Sequence, residues 1–323
     1  MAEAVRPEPD VAGEVLRRTH QLWDDRAVGL IYTQYAHNVQ IHQDVADQIG
    51  QEAVVTDAIR TLAAFPDLRL VGHEVIWSGN AQDGVHSSHR AVWCGHHLGH
   101  GRYGPPTGGR IHCRVITQQD MRGGRVVQEW RVRDELAVIR QLGLDGWALA
   151  RSMAEADGVH TAGFGELARG HGQRPPPTTL DGDPADPEAL PGLLYGLVWN
   201  GRMFNLLRTY YADDAVIWVP GHRRLATLQA RMHYVLQLLA AFSDGAMQLE
   251  QVTWTGTEPL GFRIAARWTF QGTHDGPGLY GAPTGRRVRV MGISHFEVRG
   301  GRIVRESMLW NEFALLVQLS RPG

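Results

Sequence analysis

The sequence contains no lysine, and this absence excludes whole classes of enzyme. All 32 basic residues are arginine in a chain of 323 residues. Schiff-base aldolases, pyridoxal enzymes and phosphate-binding loops of the Walker type each need a lysine amine. Cysteine is scarce as well, since only Cys94 and Cys113 are present. Two thiols in a cytosolic chain are more often reduced core residues than a disulfide.

The chain also lacks a strong charge of either sign and any long apolar run. Its formal charge is -2, which gives no electrostatic footprint for nucleic acid or an anionic membrane. The first residues are acidic and proline-bearing and lack the apolar segment of a signal peptide. No stretch is long and uncharged enough to span a membrane. We therefore expect a cytoplasmic protein with no nucleic-acid partner and no membrane partner.

The chain contains a repeat of itself. The segment Gly95 to Gly108 returns as Gly272 to Gly285, and at this offset of 177 positions residues 77–142 and 254–319 share 25 identities in 66. A repeat this long gives each copy room for its own core, so it predicts a pair of domains. We place the first domain at 1–157, a linker rich in proline and glycine at 158–187, and the second domain at 188–323.

Periodicity predicts the same order of elements in both copies. In the first copy, helices are predicted at 11–23, 27–35, 51–65 and 134–142, and strands at 39–42, 68–77, 85–94, 111–121 and 126–132. In the second, helices are predicted at 188–199, 202–210, 225–242 and 312–319, and strands at 216–219, 247–254, 262–271, 288–298 and 303–310. An Arg-Gly-Gly-Arg turn at 122–125 and 299–302 predicts a tight hairpin, because glycine accepts positive φ.

This order defines an α+β fold of two tandem cone-shaped domains. Each is expected to be a curved, mostly antiparallel sheet with helices on one face. The strands do not alternate cleanly between apolar and polar residues, which is expected where the outer face is also covered. The other copy can supply that cover, so we expect the sheets to pack back to back as an internal pseudo-dimer. Further homo-oligomerisation is left open.

Several motifs of the first copy resemble one protein family. They are Gly95-x-His97-x-Gly99, Gly104-Pro105-Pro106-Thr107, the run 124–130 with Glu129 and Trp130, Asp134, and Gln141-Leu142-Gly143. Together they resemble the SnoaL-like polyketide cyclases of the nuclear transport factor 2-like superfamily, over both copies. The resemblance implies a cone-shaped α+β domain. It does not imply one substrate, since the superfamily includes cyclases, isomerases, epoxide hydrolases and ligand-binding proteins.

The resemblance implies a catalytic role for Asp134. In the cyclases the aspartate seven residues before the Gln-Leu-Gly end is the general acid/base inside the cone, where apolar walls raise its pKa. Asp134 is also placed to cap the following helix. The family's histidine on the preceding strand is absent from the first copy, where Thr117 and Gln118 stand. The second copy has His295 there but Asn311 in place of the aspartate. An amide cannot accept a proton, so the second copy is predicted to have less catalytic activity than the first.

The other candidate site residues are histidine, arginine and aromatic side chains. His42 and His97 join the aspartate as candidate catalytic residues, because they belong to the histidines that could line the first cone. The candidate substrate-binding residues are Tyr32, His89, Arg90, Trp93, Trp130 and His295. Arg90 could polarise a carbonyl, although an ion pair with Glu129 or Glu306 between the sheets is favoured. Aromatic walls would suit a flat polycyclic ligand.

The sequence therefore predicts a cofactor-independent cyclase or isomerase that acts by acid–base chemistry on a small hydrophobic or polycyclic substrate. The substrate is expected to be polyketide-like or another enolisable carbonyl compound. No metal ligand set and no organic cofactor is predicted. One alternative is an epoxide hydrolase, with Asp44, Asp47 and Asp120 as further carboxylates. Another is a non-catalytic binding or scaffold protein. A third is a metal-dependent enzyme built on the histidines, since imidazole is a common metal ligand.

Overall fold

The computed structural model describes residues 10–43, 47–80, 82–156 and 179–321. In the first copy the helices are α1 (Val11–Trp23), α2 (Ile31–Gln34), which continues a 3₁₀ turn (Val28–Leu30), α3 (Gln51–Ala64), α4 (Glu135–Gln141) and α5 (Gly146–Ala156). Its strands are β1 (Tyr35–His42), β2 (Gln48–Ile49), β3 (Arg69–Asn80), β4 (Gly84–His96), β5 (Arg110–Arg122) and β6 (Arg125–Arg133).

In the second copy the helices are α6 (Leu190–Leu193), α7 (Leu207–Tyr210), α8 (Leu228–Ala241) and α9 (Glu312–Leu319). A π-helix (Leu194–Asn200) follows α6, and a 3₁₀ turn (Phe204–Leu206) precedes α7. The strands are β7 (Tyr211–Val219), β8 (Arg223–Leu225), β9 (Ala246–Thr257), β10 (Gly261–Thr273), β11 (Arg287–Arg299) and β12 (Arg302–Trp310). The helix predicted from residue 225 was wrong at its start. Leu225 lies in β8, and Thr227 caps α8 by accepting the Ala230 N–H at 3.1 Å.

Each copy builds one six-stranded mixed sheet. The strand orders are β2-β1-β6-β5-β4-β3 and β8-β7-β12-β11-β10-β9, so the second sheet repeats the first. The pairs β1–β6 and β7–β12 are parallel, and the other neighbours are antiparallel. The predicted turn joins β5 to β6, with φ of 55° at Gly123 and 73° at Gly124. Two successive positive φ values explain why two glycines stand there.

The glycine-rich loop after β4 packs on the end of α3. The N–H groups of Leu98 and Gly99 both donate to the Ala64 carbonyl, at 3.1 Å. A Cβ on Gly99 would lie 1.9 Å from the Ala63 carbonyl oxygen, so a side chain cannot fit. Gly276 makes the same close approach to α8 in the second copy. The repeated glycines therefore serve the fold of each copy.

The two sheets pack against each other through their outer faces, as predicted. Ile116, Val132, Ile293 and Leu309 form a buried cluster between them. Ile116 and Ile293 occupy the same position in the repeat, as do Val132 and Leu309, so the cluster is pseudo-symmetric. Fully burying an aliphatic side chain of this size stabilises a fold by roughly 1.5–3 kcal/mol. The chain is thus a tandem pair of α+β domains that form an internal pseudo-dimer.

Helix α5 also connects the copies. Ala150 and Ala154 belong to the core cluster that contains Leu316 of α9 in the second copy. Most of the predicted linker, residues 158–178, lies outside the described residues, so the domain boundaries stay predictions. Cys94 and Cys113 are free thiols. Within the described ranges, no helix is both long enough and apolar enough to cross a membrane.

Candidate functional site

The first domain holds a cavity of about 550 Å³, which we call the arginine cavity. Trp93 of β4 and Cys113 of β5 contribute to its walls, Arg131 and Arg133 come from β6, and Asp57 comes from α3. The glycine-rich loop, Met153 of α5 and Asn311 from the second copy also line it. Its volume lies in the usual range of small-molecule sites.

A row of alternating charges leads into this cavity, where Arg131, Asp57 and Arg133 line the floor and Glu129 lies behind Arg131. The Glu129 carboxylate accepts the Tyr35 hydroxyl at 2.8 Å and Arg131 Nε at 2.8 Å. Arg131 Nη1 donates to Asp57 Oδ2 at 2.6 Å, and Arg133 Nη2 donates to the same oxygen at 3.1 Å. No residue in the described part of the chain donates to Asp57 Oδ1. One oxygen of Asp57 is therefore held in place while the other is available to a ligand.

The two arginines keep Asp57 ionised. Burial alone would raise the pKa of Asp57, but the charges of Arg133 and Arg131 outweigh it and lower the pKa to about 2. The Arg133 guanidinium also lies over the Trp93 ring, 4.5 Å from its centroid. The Nε of Arg133 and the Nε1 of Trp93 are buried without a partner among the described residues. The site thus combines the Asp57 carboxylate with two N–H donors, on Arg133 and Trp93, that have no acceptor among the described residues.

A second carboxylate, Glu135, lies at the start of α4. It accepts the Tyr103 hydroxyl at 2.9 Å, and Arg102 Nε lies 3.0 Å away. Asn311 Nδ2 donates to its other oxygen at 3.2 Å, across the domain interface. Because both Glu135 oxygens already accept hydrogen bonds, this side chain is less available than Asp57 to a substrate proton.

The interior of the second domain is filled instead of open. At the corresponding place only about 10 Å³ is free. The surrounding side chains are Trp199, Leu238, Met247, Trp268, Phe270, Val290, Met308, Trp310 and Leu315. At the offset of 177, Met308 replaces Arg131, Trp310 replaces Arg133 and Tyr234 replaces Asp57. The second copy therefore uses for its core the space that the first copy keeps open.

Both copies have a buried glutamate at the same repeat position, but its surroundings differ because apolar side chains fill the interior of the second domain. Glu306 stands where the first copy has Glu129 and accepts the Tyr211 hydroxyl at 2.6 Å. Met308 replaces the arginine partner of Glu129, so full burial dominates and raises the pKa of Glu306 to about 7. Glu129 in the first domain therefore belongs to a network of paired charges, whereas Glu306 in the second domain is a buried carboxyl group without an arginine partner at that position.

Asp134 does not line the arginine cavity. It is buried where the two domains meet, and its Oδ1 accepts the Gly221 N–H at 2.8 Å. Its Oδ2 receives Arg114 Nη2 at 3.1 Å. Asp134 stands at the first position before α4, but its side chain makes no capping hydrogen bond there, whereas Asn311 caps α9 by accepting the Ala314 N–H at 3.1 Å. The catalytic role of Asp134 stays a prediction. Its contacts with Gly221 and Arg114 give it a structural role where the two domains meet.

The two predicted catalytic histidines also lie outside this cavity. His97 is fully buried in the glycine-rich loop, with its Nδ1 3.2 Å from the Thr107 hydroxyl. His274 has the same 3.2 Å contact, to Thr284, in the copy whose interior is filled. This shared arrangement indicates that His97 anchors the loop. His42 stacks on Trp130 at 5.1 Å between ring centroids.

Of the predicted substrate-binding residues, the structure brings only Trp93 to the arginine cavity. His89 lines a neighbouring hollow of about 50 Å³ that also touches Trp93, and burial lowers the pKa of His89 to about 4. Trp130 lies on the outer face of the sheet under Arg267, 3.6 Å from the ring centroid. Tyr32 is 45% exposed and donates to Glu52 at 3.1 Å.

Arg90 and His295 take part in a polar network between the sheets. Arg90 pairs with Glu74 at 3.5 Å, so the predicted ion pair with Glu129 or Glu306 was wrong in its partner. His295 Nε2 lies 2.7 Å from the Ser88 hydroxyl and its Nδ1 lies 3.0 Å from Glu74. This resembles a serine–histidine–carboxylate triad. Ser88 has no exposed surface, however, and neither cavity described above reaches it.

The residues of the alternative predictions are dispersed. Asp44 lies outside the described residues, Asp47 is exposed beside His42 at 3.3 Å, and Asp120 pairs with His86. In the described ranges, no group of three or more histidine, cysteine, aspartate and glutamate side chains is arranged to hold a metal ion. Of the described carboxylates, Asp47 and Asp120 each contact a different histidine, and neither lines the arginine cavity.

Sequence reasoning missed the charged floor of the cavity, although a signal was present. Glu129, Arg131 and Arg133 alternate along β6 and so share one face of the strand. In the second copy the same face carries Met308 and Trp310. A charged face in one copy and an apolar face in its repeat indicates an open polar cavity in the first.

The similarity of this chain to known proteins also falls into two regions, one in each domain. A family model described as SnoaL-like polyketide cyclase matches residues 13–142 and 193–319. No match was found among curated proteins. Among solved structures, a candidate SnoaL-like polyketide cyclase from Jannaschia sp. CCS1 is 16% identical, covers 45% of this chain and 100% of its own, and has a TM-score of 0.39. IdmH, a candidate polyketide cyclase from Streptomyces antibioticus, is 24% identical over 43% of this chain and 99% of its own, with a TM-score of 0.36. AclR, a candidate hydroxylase from Streptomyces galilaeus, is 21% identical over 39% of this chain and 79% of its own, with a TM-score of 0.34.

Proposed function

The chain belongs to the SnoaL-like polyketide cyclase family, and on that premise we propose that its first domain is an acid–base cyclase or isomerase for an enolisable carbonyl compound. The observation that carries this proposal is the contrast between the copies. The first keeps a cavity of about 550 Å³ with an ionised carboxylate on its floor, and the second fills the same space with apolar side chains.

In this proposal Asp57 is the base. Its free Oδ1 takes a proton from the carbon beside a substrate carbonyl, and the enolate oxygen is stabilised by the guanidinium group of Arg131. A carboxylate with a pKa of about 2 is a weak base, so enolate stabilisation has to supply most of the driving force. As the enolate takes a hydrogen bond from Arg131, Asp57 loses that hydrogen bond and becomes more basic.

Isomerisation and cyclisation differ only in what the enolate then does. In isomerisation the proton returns from Asp57 to another carbon of the same conjugated system. In cyclisation the enolate carbon forms a bond to a second carbonyl carbon, whose π bond breaks to give an alkoxide, and that alkoxide takes the proton from Asp57. Each sequence returns Asp57 to its ionised form.

Deuterium exchange tests the proton-transfer step without knowledge of the substrate. The probe is 2-tetralone in deuterium oxide, with the loss of its α-proton signal followed by NMR. The Asp57→Asn variant should slow enzyme-dependent exchange by roughly two to four orders of magnitude, the usual contribution of a positioned base. Asp47→Asn is the matched control, because Asp47 is exposed and does not line the cavity.

The same assay compares Asp57 with the family position. The Asp134→Asn variant should retain exchange, because Asp134 is committed to Gly221 and Arg114. If Asp134→Asn abolishes exchange and Asp57→Asn retains it, the base is the aspartate predicted from the family motif. If the wild-type protein accelerates no exchange at all, the proposal of an acid–base enzyme fails.

A further inference from the structure

The charges that line the arginine cavity do not balance. The lining includes four arginines, Arg60, Arg102, Arg131 and Arg133, and two carboxylates, Asp57 and Glu135. Glu129 lies behind Arg131, and even when it is counted the arginines outnumber the carboxylates by one. A cleft with excess positive charge attracts an anion.

The donors that remain are well suited to a carboxylate. Arg60 lines the cavity and has no hydrogen-bond or ion-pair partner in the described ranges. Arg133 has a buried Nε without a partner, as does Trp93 at its indole Nε1. A guanidinium group offers two parallel donors that match the two oxygens of a carboxylate. A buried donor without a partner is costly, so a ligand that accepts from it gains affinity.

The repeat supplies an internal control for this interpretation. The second copy has Gln237, Leu279, Met308 and Trp310 where the first has its four cavity arginines. By contrast, the hydrogen bond between Tyr103 and Glu135 recurs in the second copy as Tyr280 and Glu312, also at 2.9 Å. The tyrosine–glutamate pair therefore belongs to the shared fold, whereas the arginines are present only where the cavity is open.

The remaining walls select a flat ligand. Trp93, Phe65 and Tyr103 line the cavity, and Phe65 and Tyr103 meet edge to face at 6.0 Å between centroids. Aromatic walls of this kind favour ring systems. A cavity of about 550 Å³ has room for a compound of about two or three fused rings.

We propose that the arginine cavity binds a planar aromatic carboxylate, whose carboxylate is held by Arg133 and Arg60 and whose rings lie against Phe65 and Tyr103. The inference deepens the proposed function, on which it rests for the identification of this cavity as the substrate site. The substrate is then an aromatic keto acid, with its enolisable carbonyl towards Asp57 and its acid group towards the two arginines.

The experiment is calorimetric titration of the full chain with 2-naphthoate and with its neutral analogue 2-naphthamide. The wild-type protein should bind the carboxylate at least tenfold more tightly, because a charged hydrogen bond is worth about that factor or more. This preference should shrink as salt is raised from about 0.05 M to about 0.5 M. In the Arg60→Gln and Arg133→Gln double variant it should fall below about threefold, with the affinity for 2-naphthamide unchanged.

The controls keep folding and catalysis apart from binding. Arg125→Gln, at the exposed turn between β5 and β6, should keep the full preference. If the double variant does not fold, Arg60→Gln alone decides, since this exposed residue has no hydrogen-bond or ion-pair partner among the described residues. Equal affinity for the two probes, or a preference that survives in the variants, overturns the inference. A carboxylate preference without tetralone exchange would support this binding site and contradict the proposed acid–base chemistry. Tetralone exchange without the carboxylate preference would support the chemistry and contradict the binding site.

Discussion

Replacing Glu306 by glutamine should change how the stability of the protein depends on pH. The carboxyl is fully buried in the second domain, where burial raises its pKa to about 7 from an ordinary value of 4.5. The folded state therefore holds this proton more tightly than the unfolded state. Its contribution to stability is complete below the unfolded pKa and is lost as the pH rises through the folded pKa.

The size of the pKa shift sets the size of the expected effect on stability. Each pKa unit corresponds to about 1.4 kcal/mol, so a shift from 4.5 to about 7 costs the wild-type protein about 3 kcal/mol between pH 4.5 and pH 7.5. Glutamine has the same shape and does not titrate. The free energy of unfolding of Glu306→Gln relative to the wild type should therefore rise by about 3 kcal/mol over this window and then stay constant.

The assay is urea unfolding followed by tryptophan fluorescence at a series of pH values. Glu129→Gln is the matched control, because Glu129 occupies the same repeat position but is paired with Arg131. Removing that charge should lower stability at pH 7, since it takes an anion from a buried arginine. If the difference between Glu306→Gln and the wild type is the same at pH 4.5 and pH 7.5, then folding does not raise the pKa of Glu306 and the reasoning fails.

Three further predictions concern the aspartates, metal ions and the domain interface. Asp134→Asn should lower the melting temperature while changing tetralone exchange less than threefold; a loss of exchange at unchanged stability would contradict this. Dialysis against a strong chelator should leave exchange unchanged, and metal analysis that finds a stoichiometric ion required for turnover would favour the metal-dependent alternative. Cleavage at a protease site introduced into the predicted linker should leave the halves associated in gel filtration, because Ile116, Val132, Ile293 and Leu309 remain buried between them. Halves that separate and stay folded would contradict the pseudo-dimer.

The architecture was predictable because it depends on local and repeated signals. The offset of 177 gave two domains, the change from helical to alternating periodicity gave the order of elements, and the paired glycines at 123 and 124 gave the β5–β6 hairpin. The errors fell where periodicity is weak. Leu225 was assigned to a helix because a two-residue or three-residue edge strand leaves too short a pattern to recognise.

The site was less predictable because position along the chain does not say which face a side chain occupies after a bulge. A bulge between Asp120 and Met121 shifts the register of β5 against β6, and beyond it Arg131 and Arg133 line the arginine cavity while Trp130 faces the other sheet. One residue of register reverses every side chain of a strand. The motif that resembles the family therefore marked the right strands but not the residues in the cavity.

The sequence by itself determined the duplication, the α+β order of each copy and the chemical asymmetry between them, because these depend on residue identity and spacing. Only the tertiary structure decided which carboxylate is accessible. Asp57 lies more than seventy positions from Arg131 and Arg133 along the chain, and the folding of α3 onto the sheet brings the three together. Asp134, adjacent to Arg133 in sequence, faces the second domain instead. Burial and partners come from this packing, and they set the pKa and the accessibility on which any acid–base role depends.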